Sequence, residues 1–410
     1  MAKRLNFHAG KSNKDGMPTK HIGVGGTDLG FLFEGGKQFA PKDRSSLWVG
    51  GLFGDTFNDY NGSPNWRSPV MMRSSNTDFG INGIKWDNAV RGGGQIIDYP
   101  HIPGGSDPRR QDKGCFSLIP NDALQLPDGH YMAMGFRVKD WNSGPGQQMA
   151  HTHSSVWLHS TEPHAETWEW AYDIELGNGS ERGLGYQWWN KDRDQFFQNT
   201  TFLQPPGSDY VYVFGTPEGR YSGTDKAGIY LRRCHWKHLW ERSKWEFWGW
   251  QDNRWQWGKD VWPSRIIRPL VHGTSIGEIS AQWLGGKVRL TYCDGPLGAV
   301  CRTAEAPDAP WALPRTILPA SVTAPGMMYA PSLHPWNTVM ESAAFNIAAW
   351  PHHGDFHEAY GSYTYTANIE PPELPKPLDE LARKVCETGI SVPDDRVVRA
   401  LVAVSYTHLT

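Results

Sequence analysis

Leu47-Trp48-Val49-Gly50-Gly51-Leu52-Phe53 is a short apolar run broken by two glycines, and it is the first of a series. Runs of the same character recur at residues 131–138, 210–215, 287–293 and 360–367. Four of them begin roughly 75 to 85 residues apart, a quasi-period that points to a repeat architecture. Each is followed by a second strand-like run, at residues 66–72, 154–160, 227–233 and 299–304.

The turns after two of these second runs rhyme. One reads Ser160-Thr161-Glu162-Pro163-His164-Ala165-Glu166-Thr167-Trp168, and the other Thr303-Ala304-Glu305-Ala306-Pro307-Asp308-Ala309-Pro310-Trp311. Both look like worn versions of the Ser/Asp/Gly/Thr-Trp turn of sugar-active propellers. A repeat of about 80 residues per four-stranded blade predicts an all-β chain folded as a β-propeller. About 350 residues make four or five blades of that length, and five is the reading adopted. The segment around residues 23–33 is expected to close the ring by pairing with the last blade. A β-sandwich is the alternative fold, but it leaves the rhyme without a cause.

The chain has 410 residues, with 21 Trp, 15 Tyr and 16 Phe although only 39% of it is hydrophobic. Most aromatics must pack in a core. The runs Trp245-Glu246-Phe247-Trp248-Gly249-Trp250 and Trp255-Gln256-Trp257 are too dense for a core alone. Flat aromatic faces stack on the apolar faces of sugar rings, so a polysaccharide ligand would account for part of the excess. A net charge of −3 with no basic stripe excludes a nucleic-acid footprint. No apolar run is long enough for a membrane span, and the start Met1-Ala2-Lys3-Arg4 has no signal-peptide core. Cys115, Cys234, Cys293, Cys301 and Cys386 show no metal-ligand spacing. Cys293 and Cys301 could pair across a hairpin, but free buried thiols are expected.

Two acids stand out because each lies beside glycine at the edge of an apolar run, in Gly26-Thr27-Asp28-Leu29-Gly30 and Gly54-Asp55-Thr56-Phe57. Two carboxylates in one cleft are the minimum equipment for cleaving a glycosidic bond. An Asp beside Gly more often caps a turn. A propeller, however, places both on consecutive strands that converge on its axis.

These motifs open an ordered series. It continues through Trp66-Arg67-Ser68-Pro69-Val70, Ile119-Pro120-Asn121-Asp122, Ser154-Ser155-Val156-Trp157 and Val211-Tyr212-Val213-Phe214-Gly215-Thr216-Pro217. It ends with Ile276-Gly277-Glu278-Ile279-Ser280 and Met328-Tyr329-Ala330-Pro331. The series, over about residues 20–366, resembles the endo-D-arabinofuranase family of glycoside hydrolases, a former domain of unknown function of actinobacteria and their phages. The resemblance implies a five-bladed propeller that cuts the D-arabinan of arabinogalactan and lipoarabinomannan, with Asp28 and Asp55 as the acidic pair. An insertion at residues 38–46 departs from the family pattern and would reshape the rim.

The remaining site expectations are as follows. Glu278 is the reserve acid, with a buried ion pair as its plainer reading. Asn121 and Asp122, at a loop edge, are expected to bind sugar hydroxyls. Arg67 and Arg220 are expected to hold the acids ionised or to bind substrate. Trp66, Tyr329 and Trp336 are the stacking platforms. His151 shares a strand face with His153, so both or neither would face the pocket. Neither metal nor cofactor is expected. The histidines at 352, 353 and 357 read as an outer turn.

Residues 1–20 read as an N-terminal tail, 21–370 as the propeller and 371–377 as a Pro-rich linker. Residues 378–404 read as the start of a small helical domain, and 405–410 as a non-native tail. The partner expected from this reading is cell-wall polysaccharide, without membrane insertion. The setting expected is a phage virion or the extracellular space, with the C-terminal region contacting tail proteins.

Overall fold

The computed structural model describes residues 2–37, 46–102, 114–140, 151–171, 187–189, 192–217, 227–270, 276–323, 328–350 and 359–373. Over these the chain is nearly all β and forms five antiparallel sheets, the blades of a five-bladed propeller. Blade 1 runs outward from Leu29–Gly35 through Trp48–Phe53 and Val70–Ser74 to Asn88–Ala89. Blade 2 starts at Leu118–Gln125 and continues through Tyr131–Asp140, His151–Ser160 and Gln187–Trp189. Blade 3 starts at Asn199–Leu203, followed by Tyr210–Thr216, Tyr230–His235, Glu246–Gln251 and Arg254–Gly258. Blade 4 comprises Ile276–Leu284, Lys287–Asp294, Gly298–Ala304 and Arg315–Leu318.

Blade 5 joins the two ends of the sequence. Met328–Leu333, Ala343–Ala349 and Ala359–Ala367 are completed by Lys3–Ser12, which pairs antiparallel with Ala359–Ala367. This corrects two expectations. Residues 3–12 are not a tail, and the strand that closes the ring is theirs. The segment near Gly23–Phe33 instead supplies the inner strand of blade 1. Closure is packed as well as hydrogen-bonded: Phe7 meets Tyr363 with ring centroids 4.9 Å apart, and the Arg4 guanidinium lies 4.5 Å above the same ring. Gly10 and Gly361 approach so closely that a side chain on either would strike the other's backbone region.

The rhyming turns both follow the third strand of a blade, and their hydrogen bonds differ by one position. Ala165 N–H bonds Glu162 carbonyl at 3.0 Å and Ala309 N–H bonds Ala306 carbonyl at 3.1 Å, each turn ending at a buried tryptophan, Trp168 or Trp311. Between blades lie four apolar clusters; one, for example, joins Phe214 and Ile229 of blade 3 to Ile279, Leu290 and Val300 of blade 4. Cys115, Cys234, Cys293 and Cys301 are free thiols.

The inner strands are joined differently, by polar groups. Thr201 Oγ1 donates to Asp122 Oδ2 at 2.6 Å and accepts from Ala281 N–H at 2.9 Å, linking blades 2, 3 and 4. Ser280 and Ser332 hydroxyls meet at 3.0 Å, and Ser332 Oγ accepts from Leu32 N–H at 3.0 Å, carrying the girdle to blades 5 and 1. Such buried polar groups are stabilising only where they find partners.

Candidate active site

Asp28 immediately precedes the inner strand of blade 1, and Asp55 lies two residues beyond the end of the second. Because the strands are antiparallel, with Leu29 opposite Phe53, both acids emerge at the same end of the propeller. The backbone binds the two motifs together. Gly54 N–H donates to the Asp28 carbonyl at 3.2 Å, Phe57 N–H to Gly26 carbonyl at 2.8 Å, and the Thr27 and Thr56 hydroxyls meet at 2.7 Å. Glycine at 54 is required by this closeness: a Cβ there would lie 2.6 Å from Asp28 Oδ1.

A bulge aims Asp28. Leu29 has φ of 67° and Gly30 of 98°, and the ladder slips between Leu29 and Phe31. The freed Leu29 carbonyl accepts from Asn346 Nδ2 at 2.8 Å and Ser362 Oγ at 2.9 Å, both on blade 5. Bulges redirect side chains in this way. Similar register slips occur at Pro120/Asp122, Ile276/Ile279 and Tyr329/Ser332 of other inner strands.

Each acid is held from a different neighbouring blade. Tyr329, at the start of the inner strand of blade 5, donates its hydroxyl to Asp28 Oδ2 at 2.6 Å. Ser117, one residue before the inner strand of blade 2, donates to Asp55 Oδ1 at 2.7 Å. Tyr360 Oη donates to the Asp55 carbonyl at 3.2 Å. Asp28 is buried and Asp55 half-buried. Near Asp55, burial pushes the Cys115 thiol up to about 12; Arg137 pulls it down and the Asp55 charge adds to the rise. Burial also raises the Tyr99 hydroxyl, which donates to Ser68 carbonyl at 2.6 Å.

Several expectations are placed at this end. Tyr329 is there, but as a hydrogen-bond donor to Asp28 rather than a bare stacking platform. Trp66 precedes Arg67, which bridges Thr56 beside Asp55, and its ring lies against His101 with centroids 4.1 Å apart. Glu278 is buried at the start of the inner strand of blade 4. Burial raises the thiol of nearby Cys293, and the charge of Glu278 adds to that rise.

Others are placed elsewhere. Arg67 does not hold the acids: its guanidinium donates to the carbonyls of Gly23 (2.6 Å), Asn65 (2.8 Å) and Gly93, and to Asn58 Oδ1 (3.1 Å). Asn121 and Asp122 lie within the inner strand of blade 2 rather than at a loop edge, and they are buried. Asn121 donates to Gln198 carbonyl and Thr200 Oγ1 at 3.3 and 3.2 Å. Asp122 accepts from Thr201 Oγ1, Phe202 N–H and Ala123 N–H, yet burial raises its carboxyl to about 7. Both bond within the girdle. Trp336 donates to Glu34 Oε1 at 2.8 Å, beyond the far ends of the inner strands and so at the opposite end from the acids. Arg220, the histidines at 352, 353 and 357, and most of the 38–46 insertion lie outside the described residues, as do the side chains of His151 and His153. Among the described residues no group of three His, Cys, Asp or Glu side chains could hold a metal.

Ser117 and Tyr360 are the contributors that sequence reasoning passed over. They carry no local signal, because their roles depend on strand ends brought together by the ring.

Comparison with known proteins adds a family. The model of a domain of unknown function (DUF4185) matches residues 13–366, so the chain belongs to that family. The "Notoamide biosynthesis cluster protein J'" of Aspergillus versicolor is 27% identical over 325 residues, 77% of this chain and 78% of that protein. Among solved structures, a presumed hydrolase of Bacteroides ovatus matches with TM-score 0.52 at 13% identity, over 84% of this chain and 86% of that one. At such identity the likeness is one of fold. A family 117 glycoside hydrolase of Zobellia galactanivorans matches less closely, with TM-score 0.45 at 11% identity over 98% of this chain and 97% of that one.

Proposed function

Taking membership of that family as the premise, we propose that the chain is a glycoside hydrolase acting within D-arabinofuranosyl polymers of the arabinogalactan and lipoarabinomannan type. The observation that carries the reading is the acid pair: two carboxylates on adjacent strands at one propeller end, with the Asp28 carboxylate against the glycine that precedes Asp55. One would protonate the leaving oxygen, and the other would act as nucleophile or as base for water. Tyr329 and Ser117 fix the orientation of each carboxylate, as a displacement at a glycosidic carbon requires. The choice of D-arabinan follows the ordered resemblance in the sequence, and so does delivery by a phage virion with tail proteins as partners.

A second reading is a non-catalytic propeller that grips glycan. It is favoured by the unequal placing of the acids, Asp28 buried and turned to blade 5, Asp55 half-buried and turned to blade 2. Oligosaccharide release from D-arabinan and L-arabinan, measured in parallel, separates the readings. Release from D-arabinan alone supports the proposal, and release from L-arabinan alone overturns the substrate. Retention of polymer without any release supports the binding propeller.

A further inference from the structure

Two tryptophan pairs lie apart from the acid pair of blade 1, on the outermost hairpin of blade 3. Glu246–Gln251 and Arg254–Gly258 pair with Trp248 opposite Trp257 and Trp250 opposite Trp255. Alternate residues of a strand share a face, and directly opposed residues do too, so all four indoles lie on one side of the hairpin. The hairpin turns through Asp252 and Asn253, both at positive φ (54° and 60°), the pattern of a type I′ turn.

The four rings are not used alike. Trp257 is anchored: its Nε1 donates to Asp308 Oδ2 of blade 4 at 2.8 Å, and Arg233 lies 4.1 Å over its ring. Trp248 stacks on Trp255, with centroids 5.7 Å apart and an interplanar angle of 17°. Trp250, nearest the tip and edge-on to Trp255, is 45% exposed. A half-buried base thus supports an open aromatic edge.

Strand direction sets where this edge lies. Gly215, at the end of the second strand of blade 3, is opposite Thr200 at the start of the inner strand and Tyr230 at the start of the third. The fourth strand runs back antiparallel to the third, so the hairpin tip projects at the same propeller end as Asp28 and Asp55. A chain leaving the acids across blade 3 would meet it.

We propose that the Trp250–Trp255 face is a second binding site, a platform for a neutral polysaccharide chain apart from the acid pair. It rests on the glycan part of the function proposed above and not on hydrolysis. Indoles offer flat apolar faces with a polar edge, suited to the CH-rich faces of sugar rings. The tip carries one charge of each sign, Asp252 and Arg254, so it presents no net charge to repel or select a neutral chain. A protein partner is disfavoured by size. Two part-open indoles of about 150–250 Å² each fall well short of the roughly 800 Å² per partner of a stable interface.

The test is affinity electrophoresis through gels containing soluble D-arabinan-bearing arabinogalactan, with wild type, Trp250→Ala and Trp250→Tyr. Hydrolysis of the polymer and of a short D-arabinofuranosyl oligosaccharide is measured alongside. Trp250→Ala is expected to weaken retardation and raise polymer KM about five- to tenfold, with short-substrate turnover unchanged. Trp250→Tyr, which keeps a flat ring, is expected to restore most of the loss. Equal retardation of Trp250→Ala and wild type, or no retardation of either, would overturn the platform. Retardation without any hydrolysis keeps the platform and removes the hydrolase reading instead.

Discussion

The two ends of the propeller use the same inner strands for different ends. Where those strands begin, Leu29, Glu278 and Tyr329 sit at or beside register slips, and the acids Asp28 and Asp55 are gripped by Tyr329 and Ser117. Towards the other end the pairing is regular and side chains stitch blade to blade. Gln282 Nε2 donates to Leu32 carbonyl at 2.8 Å, Lys37 N–H to Gln125 Oε1 at 2.9 Å, and Gly36 N–H to Tyr131 Oη at 3.0 Å. One end spends backbone regularity to aim side chains; the other keeps it and fixes the ring. Function should therefore fail from one end, and stability from the girdle and the other.

The sharpest way to break this division is Gly54→Ala. The added methyl would displace the Asp28 carboxylate, and kcat/KM is expected to fall about 100-fold with little change in Tm. A large loss of Tm with normal turnover per folded molecule would erase the distinction. Thr201→Val should do the reverse. It removes the donor to buried Asp122 and the acceptor of Ala281 N–H, costing about 2–3 kcal/mol in denaturant unfolding while turnover per folded molecule is kept. Trp336→Ala, at the opposite end, is expected to cost about 1–2 kcal/mol of stability and leave kcat/KM unchanged.

The smallest effect is a pH slope. Burial lowers His8, on the closing strand, to about 4, so between pH 6.5 and 4 the unfolded chain takes up a proton that the native chain does not. Stability from this group is present above pH 6.5 and is lost as pH falls below it. Asp122, raised by burial to about 7, acts in the opposite sense: it keeps a proton that the unfolded chain gives up above about pH 4, so its contribution falls as pH rises to 7. Each slope is at most about 1.4 kcal/mol per pH unit. Between pH 4 and 6.5, His8→Gln should make the slope of stability against pH less positive, and Asp122→Asn more positive. Slopes that change in the same direction would contradict the assignment.

The second and third strands of the blades were legible, because apolar runs mark Trp48–Phe53, Tyr131–Asp140, Lys287–Asp294 and Gly298–Ala304. The inner strands were not. Asn199–Leu203 begins with Asn-Thr-Thr because its side chains bond across the ring instead of packing in an apolar layer. Pro120-Asn121-Asp122 likewise reads as a loop edge although it lies inside the strand Leu118–Gln125. The closing strand was hidden for another reason: Lys3–Ser12 opens with charged residues and has two register slips, so it lacks a clean alternation. The acid pair showed through its glycines, which the close approach of Gly54 to Asp28 demands. Its partners did not, since Tyr329 lies 301 residues from Asp28 and Ser117 lies 62 from Asp55.

The most direct test of the acid-bearing end is the release of oligosaccharides from D-arabinan by Asp28→Asn, Asp55→Asn and Trp336→Ala, each normalised to folded protein. Loss of about 1,000-fold or more in both aspartate variants, with Trp336→Ala near wild type, is the expected result. Full activity in either aspartate variant would contradict it.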